Sequence, residues 1–173
     1  VTIPEEKGSF KRFCQTIGNR AITEFNYRYT GEPSANIFVG VRLSGSVEER
    51  QQLLSELASA NYQVNDFTEN ELAKLHVRYM IGGKNRTDNV NERIFSFEFP
   101  EHPGALEKFL DAMGEIFNIT LFHYRNHGAA FGQVLAGFEV STDKESEFFQ
   151  HLHALGYQFQ EATDNRAYQA FLN

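Results

Sequence analysis

Two spacings of apolar residues alternate along the second half of the chain and predict its elements. In RIFSFEF at 93–99, phenylalanine recurs at every second residue, which is typical of a strand with one buried face. After Pro103 and Gly104, apolar residues recur at intervals of three and four, which indicates a helix with one apolar side. These residues are Leu106, Phe109, Leu110, Met113 and Phe117. ITLFHYR, GQVLAGFEV and YQFQEA read as further strands, and KESEFFQHLHALG as a second helix, so the order is strand, helix, strand, strand, helix, strand.

The first half repeats this pattern and part of the sequence itself. ITEFNYR at 22–28 and ITLFHYR at 119–125 are identical at five of seven positions. PEEKGSFKRF precedes the first of them as PEHPGALEKF precedes the second, and NIFVGV follows as QVLAGF does. The matched glycines are Gly8/Gly104, Gly18/Gly114, Gly31/Gly128 and Gly40/Gly137. Matches in one order over most of each half indicate a duplicated unit.

Two copies of a βαββαβ unit predict an α+β fold with two tandem ferredoxin-like subdomains, each an antiparallel sheet with two helices on one face. We place the first subdomain at 1–81, with its opening strand cut short, and the second at 93–173. The polar, turn-rich segment GGKNRTDNVNE at 82–92 is the predicted linker. Additional helices are predicted over ENELAKLHVRYM and NRAYQAFL, one after each unit.

Composition narrows the classes of function. The chain has 173 residues, of which 41% are hydrophobic, so it can form a packed core. A net charge of -7 argues against binding to nucleic acid, because neutralising phosphates requires clustered lysine and arginine. No apolar run is long enough to span a membrane, and a single cysteine excludes an internal disulfide. We expect a cytoplasmic protein and, since the chain does not begin with methionine, a piece of a longer one.

The sequence offers no persuasive catalytic or metal site. His151 and His153 are two residues apart on a predicted helix, so their side chains point in different directions. GGK at 82–84 lacks the spacing of a phosphate-binding loop. Cys14 falls on the apolar side of a predicted helix, which favours packing over nucleophilic chemistry. We therefore expect no catalytic residue, no metal and no cofactor in this chain.

The repeats favour a ligand-binding site instead. Gly8 and Gly104 open the first helix of each unit, where unpaired backbone N–H groups suit a small carboxylate. The repeated strands end in the pairs Tyr27–Arg28 and Tyr124–Arg125. A cation and an aromatic wall suit a free amino acid, although neighbouring strand residues face opposite sides, so one pair cannot act as a single clamp. The alternative is that the tyrosines complete the core and the arginines are surface charges.

Together these motifs resemble the C-terminal regulatory region of biosynthetic threonine deaminase, also called threonine dehydratase or threonine ammonia-lyase. The similar segments span nearly the whole chain: VTIPEEKGSF, TEFNYRY, IFVGVRL, AKLHVRYMIGG, FSFEFPEHPGAL and NITLFHYRNHG. In that family, two tandem ACT-like subdomains follow a catalytic domain that carries pyridoxal phosphate on a lysine. The resemblance implies isoleucine as an inhibitor, valine as an opposing activator, and a homo-oligomer, a tetramer in the parent enzyme.

The resemblance also implies particular effector-binding residues. It gives this role to Tyr27, Tyr124, Arg78 in HVRYM and Arg125. Arg28 holds the duplicate place of Arg125 and is included with them. No segment resembles the catalytic domain, so the resemblance implies a regulatory segment that does not deaminate threonine by itself.

Two other classes of function stay open at this stage. RRM modules share the βαββαβ order and use strand aromatics to stack RNA bases. The acidic charge and the lack of a basic, glycine- and aromatic-rich strand motif argue against that reading. The other alternative is a structural oligomerisation domain that binds no small molecule.

Overall fold

The computed structural model describes residues 1–70, 73, 78, 91–100, 102, 104–125, 131–166, 168 and 172. Most of the predicted linker, and half or more of each helix predicted after a unit, lie outside the described residues. Glu92, the last residue of that predicted linker, is the first residue of a strand.

The elements follow the predicted order in both units. The first unit contains β1 (Thr2–Pro4), α1 (Ser9–Ile17), β2 (Ile22–Arg28), β3 (Ser34–Asn36), β4 (Phe38–Val41) and α2 (Val47–Ser59). The second contains β5 (Glu92–Pro100), α3 (Ala105–Phe109) with a π-helical turn (Leu110–Gly114), β6 (Asn118–Arg125), β7 (Phe131–Glu139), a 3₁₀ turn (Thr142–Lys144), α4 (Glu145–Leu155) and β8 (Gln158–Glu161).

Both units have the same strand arrangement, which confirms the predicted pair of ferredoxin-like subdomains. In the second unit the strand order is β6-β7-β5-β8, and all neighbours are antiparallel. In the first unit β2 pairs with β4, β1 pairs with β3, and Thr2 bridges to Gln63. Strands β3 and β4 together correspond to β7, interrupted at Ile37, and the last strand of this unit is reduced to the bridge at Gln63.

The two copies of the repeated strand lie side by side and join the units. β2 and β6 pair antiparallel within a six-stranded sheet of order β4-β2-β6-β7-β5-β8. Asn26 lies opposite its own duplicate, His123, while Phe25 faces Tyr124 and Tyr27 faces Phe122. Phe122 and Tyr124 are the duplicates of Phe25 and Tyr27, so the two pairs are equivalent and the strands pair with local twofold symmetry.

One continuous aromatic core lies between the sheet and the helices. The ring of Phe10 on α1 is 5.0 Å from Phe25, and Phe25 is 5.7 Å from Phe122 across the β2–β6 pair. Tyr27 and Tyr124 belong to the same buried layer. Within the described residues the aromatic side chains of these two strands are therefore covered by helices, which is unlike the exposed stacking platform of an RRM.

Candidate functional site

A small cavity lies beside Tyr27. Its volume is about 20 Å³, room for a single water molecule. The Tyr27 hydroxyl donates a hydrogen bond to Glu5 Oε1 at 3.3 Å, and the Thr30 N–H donates to the same oxygen at 3.3 Å. The Phe10 ring packs edge-on against Tyr27 with centroids 4.6 Å apart. Burial, and then the charge of Glu5, raises the pKa of Tyr27, so the phenol stays protonated.

A much larger cavity, which we call the Tyr124 cavity, lies beside the second tyrosine. Its volume is about 560 Å³. Tyr124, Phe99 and Leu106 line it from the second unit, and Ile22 and Cys14 line it from the first. Burial, and then the charge of Glu107, raises the pKa of Cys14 to about 12. The thiol is therefore a neutral, apolar part of the wall rather than a nucleophile.

The two cavities are related by the duplication. Each takes a tyrosine and a helix-start glycine from one unit and a glycine and an isoleucine from the other. The corresponding lining residues are Tyr27/Tyr124, Gly8/Gly104, Gly114/Gly18 and Ile119/Ile22. The two cavities differ in size because one lining position differs between the units. Phe10 packs against Tyr27 in the first unit, whereas Leu106 holds the duplicate position in the second. The molecule thus has two cavities at equivalent positions, one small and one large.

The helix-start glycines adopt the conformation that the pattern requires. Gly8 and Gly104 have φ angles of 81° and 86°, a left-handed region that a side chain would strain. The N–H of Gly8 already donates to Gly114 O at 3.2 Å, and the N–H of Ser9 donates to Glu6 O at 3.2 Å. The first helix start is therefore not a set of unpaired donors, because the second unit and the preceding turn occupy two of them.

Arg28 lies on the opposite face of β2 from Tyr27. Its guanidinium donates to both carboxylate oxygens of Glu92, at 2.8 and 3.0 Å, and to Leu172 O at 2.7 Å. The Tyr168 hydroxyl donates to the same carboxylate at 2.5 Å. Arg28 and Glu92 are 4% and 7% exposed, so the pair is buried. The structure does not bring Arg28 into the cavity of its neighbouring tyrosine.

Arg78 and Arg125 are also placed on that face. Arg78 forms an ion pair with the buried carboxylate of Glu24, and Asn26 donates to the backbone oxygen of Arg78 at 3.3 Å. Arg125 lies directly opposite Glu24 in the β2–β6 register. The predicted site residues thus fall into two groups. The tyrosines and glycines line the cavities, and the three arginines flank the other face of the two repeated strands.

Sequence reasoning missed the charged residues around the Tyr124 cavity. They are Lys11, Arg20, Arg42, His102 and Glu107. The duplicate position of Arg42 holds Glu139, so a search for residues shared by both units passes over it. The available signal was the resemblance itself, since Arg42 lies within IFVGVRL.

The part of the chain that the structure describes has no metal site: no group of three or more histidine, cysteine, aspartate or glutamate side chains is arranged there to hold a metal ion. The helices described are also too short or too polar to cross a membrane.

Comparison with known proteins gives a consistent result over nearly the whole chain. A family model described as the C-terminal regulatory domain of threonine dehydratase matches residues 1–77 and 84–172. The biosynthetic L-threonine dehydratases IlvA of Escherichia coli, Salmonella typhimurium and Pasteurella multocida are 53%, 52% and 49% identical to it. Each alignment covers 99% of this chain and 33% of the relative. The chain thus spans about a third of the length of the curated relatives that it matches.

Proposed function

Because this chain belongs to the family of C-terminal regulatory domains of threonine dehydratase, we propose that it is a sensor of branched-chain amino acids. Isoleucine is the inhibitory ligand and valine opposes it. The enzyme under control is a cytoplasmic, pyridoxal-phosphate-dependent threonine dehydratase of isoleucine biosynthesis, a homo-oligomer such as a tetramer. In this proposal the cofactor and the chemistry belong to the catalytic domain of the longer protein, and this chain contributes only regulation.

The observation that carries the proposal is the Tyr124 cavity between the two units. Its volume of about 560 Å³ lies within the range of small-molecule sites, roughly 300–1,000 Å³. Tyr124, Phe99 and Ile22 give it an apolar wall suited to an aliphatic side chain. Its charged rim suits the polar end of an amino acid. A ligand there contacts both units at once, which is the arrangement that a signal between them requires.

Two unequal cavities also account for two opposing ligands. Isoleucine and valine differ by one methylene, worth about 0.8 kcal/mol when buried. A ligand that binds two states of a protein equally shifts neither. In our proposal isoleucine binds the larger Tyr124 cavity, and valine favours a state in which the smaller Tyr27 cavity is enlarged. Coupling between such sites is typically about 1–3 kcal/mol.

The three arginines take an indirect role in this proposal. On the face of β2 opposite Tyr27, Arg28 pairs with Glu92 and Arg78 pairs with Glu24. Arg125 occupies the neighbouring position on β6. Since Tyr27 and Tyr124 lie on these same two strands, a shift of either tyrosine also displaces the face that the three arginines flank. We propose that Arg28, Arg78 and Arg125 transmit the effect of the ligand and do not contact the ligand itself.

Calorimetric titration of the purified protein with isoleucine and valine tests the proposal. Tyr124→Leu should weaken isoleucine binding by at least about tenfold, because it removes an aromatic wall of the Tyr124 cavity. Tyr27→Leu, the same change in the smaller cavity, should leave the tighter isoleucine site in place. No heat from either amino acid at millimolar concentration, or an unchanged isoleucine affinity in Tyr124→Leu, would contradict the proposal.

A further inference from the structure

The charges around the Tyr124 cavity are not equivalent, because some are already paired. Lys11 Nζ lies 2.9 Å from Asp111 and 3.0 Å from Glu115. Arg20 donates to Glu56 at 2.7 Å and to Ile17 O at 3.0 Å. Both cations therefore already have carboxylate partners, and the negative charge of these partners weakens their attraction for a ligand anion.

Arg42 and Glu107 differ from these residues. Among the described residues, the guanidinium of Arg42 forms no ion pair and no side-chain hydrogen bond, and the same holds for the carboxylate of Glu107. Both line the Tyr124 cavity, Arg42 just after β4 in the first unit and Glu107 on α3 in the second. Among the described residues that line it, the Tyr124 cavity thus has one cation and one anion without an ion-pair or side-chain hydrogen-bond partner, together with an apolar wall.

This set of groups matches one class of ligand. A guanidinium binds a carboxylate strongly, and a carboxylate binds an ammonium group. An apolar wall takes an aliphatic side chain. We infer that Arg42 binds the carboxylate of the amino-acid ligand and Glu107 binds its ammonium group. The inference rests on the proposed function and adds to it two binding residues that were not among those predicted from the sequence.

The two residues come from different units, and this has a regulatory consequence. Arg42 follows β4 of the first unit and Glu107 lies on α3 of the second, so an amino acid bound by both connects the end of β4 to α3. A ligand that lacks either charged group loses this connection. The inference therefore links recognition of a free amino acid to the relative position of the units.

Isoleucine affinity in charge-neutralised variants of the full protein tests the inference. Arg42→Gln and Glu107→Gln should each weaken isoleucine binding by about 10- to 100-fold, the range expected for loss of a hydrogen bond to a charged group. Arg50→Gln and Glu145→Gln are matched controls, because these charges pair with Asp66 and Arg93 and do not line the cavity, and they should change the affinity less than about threefold. Unfolding midpoints establish that all four variants are folded.

Ligand analogues separate direct contact from a structural effect. Isoleucinamide has no carboxylate, so Arg42→Gln should bind it as well as the unsubstituted protein does. Likewise, 3-methylvalerate has no ammonium group, so Glu107→Gln should not weaken its binding. Equal losses for isoleucine and the matching analogue, or an isoleucine loss below threefold in either variant, would overturn the inference. If the unsubstituted protein fails to bind isoleucine, the proposed function fails instead.

Discussion

At the residue scale, the two faces of β2 have different environments although both are buried. Tyr27 faces the aromatic core, and its hydroxyl bonds to Glu5. Arg28, the next residue, faces a layer of charged groups and forms a bidentate pair with Glu92. Arg28 Nε is buried without a hydrogen-bond partner, so the hydrogen bonds of the pair do not fully offset the cost of burying its charges. Such a pair contributes little net stability while intact but is costly to break.

Glu92→Gln should therefore destabilise the protein strongly. Removing the charge leaves Arg28 buried and uncompensated, which typically costs about 3–5 kcal/mol. Urea unfolding followed by circular dichroism measures the loss. Glu98→Gln on the same strand is the matched control, because Glu98 is exposed, and it should change the free energy of unfolding by less than about 0.5 kcal/mol. Equal effects of the two changes would mean that the buried pair does not hold β2 to β5.

Cys14 reports on the Tyr124 cavity through its thiol chemistry. A pKa of about 12 leaves roughly a thousandfold less thiolate at pH 8 than an ordinary thiol has. Alkylation by iodoacetamide should be at least about 100-fold slower in the native protein than in urea, and should accelerate as pH rises from 7 to 9. Isoleucine should slow it further by filling the cavity. Equal native and unfolded rates would contradict the buried position of this thiol.

At the scale of elements, the duplication extends to an irregularity in the sheet. The β2–β4 register shifts between Ile22 and Glu24, and the β6–β7 register shifts at the duplicate position, Thr120. A glycine faces each bulge. A Cβ on Gly40 would come within 2.7 Å of Thr23 Oγ1, and one on Gly137 within 2.8 Å of Thr120 Oγ1. Close approach of a neighbouring strand thus explains why both units have glycine at the matched positions 40 and 137.

Gly137→Ala should therefore destabilise the sheet. The added methyl would also lie 2.9 Å from Ile94 Cδ1 and 3.1 Å from Leu121 Cβ, so strands on both sides would have to move. Overpacking of this kind typically costs about 1–3 kcal/mol, which thermal unfolding would detect. Gln133→Ala, at an exposed position of the same strand, should have little effect. A Gly137→Ala protein as stable as the control would show that the bulge can relax.

At the scale of the whole molecule, the order of elements could be predicted because it depends on local periodicity and on the repeat. Alternation placed Phe95, Phe97 and Phe99 on one face, and all three are buried. The edge-to-edge pairing of β2 with β6 could not be predicted, because periodicity does not specify which strand edges meet. The same limit applies to the interruption at Ile37, where one continuous strand in the second unit becomes two in the first.

The candidate site was predictable only where the units agree. Tyr27, Tyr124, Gly8 and Gly104 are shared by both copies, and all of them line the two cavities. The size of each cavity depends instead on residues that differ between the copies, such as Phe10. The offset between matched residues also increases by one from Gly18/Gly114 to Ile22/Ile119. This change lies beside the π-helical turn of the second unit, which has no counterpart in the described part of the first unit. A comparison that rewards identity gives these differences no weight.

Because the units share a sheet and a core, a ligand between them should stabilise both together. At a free isoleucine concentration 100 times its Kd, the free energy of unfolding should rise by about 2.7 kcal/mol. Hydrogen exchange of the slowest amides should show this increase equally in β2, from the first unit, and in β7, from the second, since both exchange through the same global unfolding. The Tyr124→Leu variant, which should bind isoleucine at least about tenfold more weakly, should show an increase of no more than about 1.4 kcal/mol at the same isoleucine concentration. Protection confined to one unit would mean that the halves unfold separately and that the shared β2–β6 pairing does not couple them.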